Sequence, residues 1–184
     1  MSWMTQIRNS NNRFGSIAIG LHWAMLLLLV AVYACMELRE FYPKGSDPRE
    51  AMKAWHYMLG ISVLLLVIAR IAWRLANVSP QIQPAPPRWQ ALAGRGMHLL
   101  LYAFLLGMPI VGWLLLSAKG EAVSLFGMAL PALTGKNEGL ADSVLEVHET
   151  VATIGYFLVG FHSLAALFHH YVSHDNTLRR MLPG

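Results

Sequence analysis

Four long apolar runs separated by polar segments set the pattern of this 184-residue chain, covering roughly residues 17–36, 54–73, 97–117 and 147–171. A helix rises about 1.5 Å per residue, so about 20 apolar residues cross a hydrocarbon core of about 30 Å. The pattern predicts an all-α integral membrane protein, a four-helix bundle forming one domain over residues 1–184.

The polar segments punctuate the runs. A leader with Arg8 and Arg13 precedes the first; the intrusion of His22 and Trp23 at its apolar start argues for a retained span rather than a cleaved signal peptide. Residues 37–53 mix four basic with four acidic side chains and carry Pro43, Gly45 and Pro48, which predicts a water-exposed connection. Residues 77–96 hold four prolines and two glycines and predict a non-helical loop along the membrane surface. Pro109 is expected to kink the third span. Residues 118–142 read as a longer connection, its AVSLFGMALPAL stretch apolar enough to enter the membrane interface. The tail, HDNTLRRMLPG, is basic.

Composition agrees with a membrane protein, with 55% hydrophobic and 13% charged residues and a mean hydropathy of +0.44. The one cysteine, Cys35, has no partner for an internal disulfide. Charge is distributed unevenly among the connections. The leader, the second loop with its flanking helix ends, and the tail hold eight arginines against Asp175 alone; the remaining connections hold six basic against nine acidic residues. By the positive-inside rule, both termini face the cytoplasm, as expected of a multi-pass membrane protein in contact with lipid. No CxxC, HExxH, GxGxxG or P-loop pattern occurs, and no nucleic-acid partner is expected.

Ionisable side chains inside a span are costly, and they usually face the bundle interior and serve a function. His148 and His162 lie 14 residues apart in the fourth run, a rise of about 21 Å and about 40° short of four turns, hence one face at two depths. His22 enters at the depth of His162, and His56 at that of His148. Two imidazoles from different helices supply the two axial positions that a porphyrin leaves on iron, and this ligation favours electron transfer over oxygen binding. His98 also lies near the depth of His22 and is an alternative ligand, and His169 shares the helix face of His162. His169, His170 and His174 fit a surface or quinone-side location. Gly20, Gly60, Gly155 and Gly160 near the histidines suit a flat macrocycle, although close helix packing also selects small residues. A histidine-lined metal transporter is disfavoured by the scarcity of carboxylates on the fourth span.

The segments LHW (21–23), AWHYMLG (54–60), MHLLLYAFLLGMPIVGWLL (97–115), VHETVATIGYFLVGFH (147–162) and HHYVSHDNTLRRMLP (169–183) together resemble the bacterial cytochrome b561 family, di-haem membrane cytochromes of the CybB type. The likeness covers nearly the whole chain. It implies two haem b groups, one held by His22 and His162 on the cytoplasmic side and one by His56 and His148 on the periplasmic side. It further implies a superoxide oxidase that passes electrons from periplasmic superoxide to ubiquinone at the cytoplasmic side. The family is also similar to haem b subunits that relay electrons for, and anchor, a partner dehydrogenase or hydrogenase. His98, Arg95 and His169 are the expected quinone-side residues, since imidazoles and arginine can hold quinone carbonyls and deliver protons. The outer face is acidic, so superoxide entry requires a local cluster of cations, with Arg39, Lys44, Lys53 and Lys119 as candidates.

Overall fold

The computed structural model describes residues 6–182, leaving the first five residues of the leader and the last two of the tail outside. Four helices dominate: α1 (Ser16–Leu38), α2 (Asp47–Leu75), α3 (Arg88–Lys119) and α4 (Glu138–Tyr171). All four are long and apolar enough to cross a membrane, and the fold is the expected all-α, four-helix class. Large apolar side chains remain exposed along them, including Leu27 and Leu99 at 70% and Phe157 at 61%. Lipid is the solvent that tolerates such surfaces, while each helix satisfies its own backbone internally.

The helices run beyond the apolar runs, for local reasons. Proline is tolerated in a first helical turn, so α2 begins at Asp47 despite Pro48 and takes in the end of the connection expected over residues 37–53. The loop expected over 77–96 likewise ends early, because α3 starts at Arg88 directly after Pro87 and contains Gly94 and Gly96. Glycine inside a helix costs only about 1 kcal/mol, too little to break one that long-range packing supports. Pro109 sits inside α3. The α4 helix begins at Glu138, where Asn137 Oδ1 accepts from the Leu140 N–H at 3.0 Å, an N-cap. At the far end of α3, Gly120 has φ +76°, and Glu121 and Gly120 N–H groups donate to the Leu116 and Ser117 carbonyls. This is a Schellman stop, which requires a left-handed residue at that place.

Chain contacts divide the molecule into two compact units, residues 1–24, 68–103 and 154–184 in the first and 25–67 and 104–153 in the second. Each contains a segment of all four helices.

The first unit is tied by its polar ends. Asn9 donates to the Val78 carbonyl and Arg13 to that of Leu182, both at 2.8 Å. Trp23 Nε1 donates to Met181 at 2.9 Å. Gln83 and Asn176 exchange two hydrogen bonds. Arg180 donates to the Pro80 carbonyl and lies over the Phe14 ring. The leader folds back so tightly that a Cβ on Gly15 would stand 2.2 Å from the Ile7 carbonyl oxygen.

In the second unit the connection after α3 forms a small antiparallel hairpin, β1 (Ser124–Leu125) with β2 (Met128–Ala129). Its turn residues Phe126 and Gly127 both have positive φ, the twist that suits a two-residue hairpin. Val123 and Leu125 are buried with Ile61 and Leu116, and Trp113 and Leu130 pack beside them. Trp113 Nε1 donates to Pro131, and the Leu133 N–H donates to Ser117 Oγ. Of the apolar stretch expected to enter the interface, Val123, Leu125 and Leu130 pack against α2 and α3, while Phe126 and Met128 at the hairpin tip stay exposed.

Candidate functional site

Histidines from different helices meet in pairs, one pair in each unit. In the second unit His56 of α2 faces His148 of α4 with ring centroids 6.2 Å apart and planes at 77°. In the first, His22 of α1 faces His162 of α4, also at 6.2 Å, with planes at 72°. A metal–imidazole bond is about 2.0–2.1 Å and the ring centre lies about 1.2 Å behind its nitrogen, so an ion held between two imidazoles separates their centroids by about 6.4–6.6 Å. Both pairs lie a few tenths of an ångström inside that distance. His98 of α3 lies nearer to His162, at 5.6 Å and 61°, which is short for a shared ion, so the geometry favours His22 as the counterpart. Among the described residues no group of three or more His, Cys, Asp or Glu is gathered as an ion-binding set.

The second shell around the His56 pair has the features that ligation requires. His56 Nδ1 lies 3.1 Å from the Val32 carbonyl oxygen. A carbonyl can only accept, so Nδ1 carries the proton and Nε2 keeps its lone pair for a metal. His148 Nδ1 is buried with no hydrogen-bond partner among the described residues, and a metal bond would satisfy it only if made by that nitrogen. A Cβ on Gly112 would come 3.3 Å from His148 Cε1, so the glycine lets the ring lie against α3. Added Cβ atoms on Gly20, Gly60 and Gly160 would meet no protein atom within 4 Å. Those three glycines do not serve helix-to-helix contact, and a flat group beside the histidines is the better fit. The residues present therefore suit a haem at each pair.

The four cationic candidates for anion entry share the second unit with His56 and His148. Arg39 is already paired with Glu40 at 2.9 Å and lies close enough to His56 to act on it electrostatically. Lys53 is paired with Glu50 at 2.8 Å. Lys44 and Lys119 are exposed and make no ion pair among the described residues. Arg49, which the sequence did not single out, is 8% exposed. It donates to the Arg39 and Tyr42 carbonyls and to both Glu40 oxygens, fixing the turn that carries Arg39.

The quinone-side candidates fall in the first unit with His22 and His162. His98 is exposed and adjoins His162. Arg95, one turn earlier on α3, is exposed as well. His169 is not a free surface group, because its Nδ1 is hydrogen-bonded to Asp175 Oδ2, a carboxylate only 3% exposed. Burial would raise the Asp175 pKa, but hydrogen bonds from Thr177 and His169 outweigh it and hold the carboxyl below the usual range. Burial lowers the Arg180 pKa, against the opposing pull of Asp175. His170 packs edge-on to Tyr171, and His174 has φ +53° in the turn after α4. Sequence pattern could not find the Asp175 partnership, since a tail carboxylate announces nothing until the tail is folded back.

The sequence matches the family described as prokaryotic cytochrome b561 over residues 13–184. It is 41% identical over 172 residues to "Cytochrome b561 homolog 1" of Escherichia coli (strain K12), covering 94% of this chain and 98% of that one. It is 38% identical over 174 residues to "Probable superoxide oxidase CybB" of Yersinia pestis, covering 94% and 97%. "Cytochrome b561 homolog 2" of Escherichia coli (strain K12) is 29% identical over 178 residues, covering 95% and 93%.

Proposed function

The chain belongs to the prokaryotic cytochrome b561 family of membrane haem proteins that transfer electrons, and from that premise we propose that it oxidises superoxide on the periplasmic side and reduces ubiquinone on the cytoplasmic side. Two superoxide anions give two molecules of oxygen, and ubiquinone with two protons gives ubiquinol, so charge and atoms balance. The relative named as a superoxide oxidase, 38% identical over nearly the full length of both chains, favours this substrate.

The single observation that carries the proposal is the recurrence of the same 6.2 Å imidazole separation in both units. We assign one haem b to His22 and His162 and a second to His56 and His148. Haem b with two imidazole ligands supplies one-electron transfer at an iron closed to other ligands. The protein supplies position: Val32 fixes the tautomer of His56, and Gly112 admits the ring of His148. One continuous helix, α4, carries a ligand for each.

Charge supports placing the first unit at the cytoplasmic side of a bacterial inner membrane. The leader, the second loop and the tail, which hold the excess of arginine, all belong to it. There His98 and Arg95 can hold a quinone carbonyl. The proton relay falls to His169, whose Nδ1 is bound to Asp175 and whose Nε2 can pass a proton to the quinone. At the other unit Lys44 and Lys119 offer the unpaired cations that a small anion needs.

The test is activity without a partner. Purified protein in lipid vesicles, given enzymatically generated superoxide and a short-chain ubiquinone, is expected to form ubiquinol in step with superoxide loss. Reduction of the protein only by an added dehydrogenase or hydrogenase, with superoxide inert, would assign it instead to relay and anchoring for a partner.

A further inference from the structure

The last two turns of α2 carry charge that no carboxylate among the described residues neutralises. Arg70 Nη1 is buried and has no hydrogen-bond partner among the described residues, and the same holds for Trp73 Nε1, three residues on. Residues three apart on a helix share a face, so two orphaned donors sit side by side. Arg74 adds a second guanidinium one turn beyond Arg70. It lies 5.5 Å over the ring of Tyr102, with Nη1 3.4 Å from the Tyr102 hydroxyl. Neither arginine makes an ion pair with a carboxylate among the described residues.

Arg70 is half-buried, and a guanidinium nitrogen shut from solvent with no acceptor is costly unless something pairs with it. The partner's chemistry follows from the donors. Two arginines, an indole N–H and a phenol present only or mainly N–H and O–H groups, which calls for an acceptor carrying more than one oxygen and negative charge. The planar fork of arginine matches a carboxylate in two-point contact. The location narrows it further, because Arg70 stands within electrostatic reach of His22, His98 and His162. A cofactor held by His22 and His162 carries its own pair of carboxylates, the porphyrin propionates.

We propose that Arg70, supported by Arg74, Trp73 and Tyr102, binds the propionates of the haem held by His22 and His162, which rests on the haem assignment above. The site has a second consequence. A fixed cation beside the iron favours the reduced, less positive state, so Arg70 raises the reduction potential of this haem relative to the same haem without it. Electrons are thereby drawn toward the unit that carries the quinone-side residues. Arg70 is a positioning and tuning residue, since it acts through the cofactor's carboxylates.

The experiment is a redox titration of the full-length haem-loaded protein carrying Arg70→Gln or Arg70→Lys, followed by absorbance. Arg70→Gln is expected to lower one of two midpoint potentials and leave the other in place, with haem content and the six-coordinate spectrum intact. Arg70→Lys is expected to recover part of the drop. Unchanged potentials with both haems retained would overturn the proposal while leaving the haem assignment standing. If Arg70→Gln loses haem, Tyr102→Phe with Arg74→Gln provides the milder variant, with the same expected direction and the same overturning result.

A lipid phosphate is the competing anion. Titrations in phosphate-free maltoside detergent micelles and in vesicles containing phosphatidylglycerol separate the two: a drop present in both supports propionate, and a drop confined to the lipid vesicles would overturn it. Failure of the haem assignment itself shows elsewhere, as two unaltered haems in His162→Ala.

Discussion

His22 of α1 and His162 of α4 face each other with ring centroids 6.2 Å apart, although 140 residues separate them in the chain. The same spacing recurs at His56 and His148. Packed aromatic rings cover about 4.5–7 Å, and Phe168 and His169 also stand at 6.2 Å, so what suits a shared ion is that each pair brings two imidazoles together from different helices.

Loss of either α4 histidine should therefore cost one haem and spare the other. In His162→Ala the haem-to-protein ratio, measured by pyridine haemochrome, is expected to fall to about half of the parent value. Two six-coordinate haems in that variant would contradict the assignment.

His98 adjoins the same pair, at 5.6 Å from His162, and is assigned above to the quinone carbonyl. His98→Ala should keep the haem content and the six-coordinate spectrum while slowing ubiquinone reduction by about 10-fold, the loss of one hydrogen bond of about 1.4 kcal/mol. Loss of a haem in this variant would make His98 the ligand in place of His22.

Lys44 and Lys119 are the candidates for anion entry that make no ion pair among the described residues. Replacing both with Gln is expected to lower the superoxide rate and flatten its dependence on salt, because steering of an anion by exposed charge fades beyond about 8 Å at physiological ionic strength. Haem reduction by added ubiquinol serves as the control and should not change. Equal loss of both reactions would indicate damaged folding, and loss of neither would place anion entry elsewhere.

The four helices are legible in the sequence because hydrocarbon demands long unbroken apolar runs, and the histidines stand out because ionisable groups there are rare. What decides the helix ends was not visible as such. Asn137, Pro48 and Gly120 are ordinary loop residues until their hydrogen bonds are seen. Partnerships between distant segments were equally hidden: Trp23 with Met181, 158 residues apart, or Asp175 with a histidine expected to lie free. Nothing in the sequence sets Arg49 and Arg70 apart from the other arginines. The burial of Arg49 among carbonyls and the unpartnered Nη1 of Arg70 are properties of the packed helices, which no local pattern encodes.

Asp175 predicts a pH dependence. Its folded pKa lies below the unfolded value of about 3.9, so the stability it contributes is fully present above that value. The contribution is lost as pH falls through the lower, folded pKa. Thermal unfolding of Asp175→Asn should show a lower Tm than the parent at pH 7, and the gap should narrow once the pH drops below about 4. A gap that stays constant into acid would show that the carboxylate charge is not what holds the tail.

The most direct measurement is the haem stoichiometry of the purified chain together with its low-temperature electron paramagnetic resonance. Paired imidazoles in both units predict two haem b per chain, each giving a low-spin ferric signal. One haem per chain, or a high-spin five-coordinate signal from either, would contradict the account.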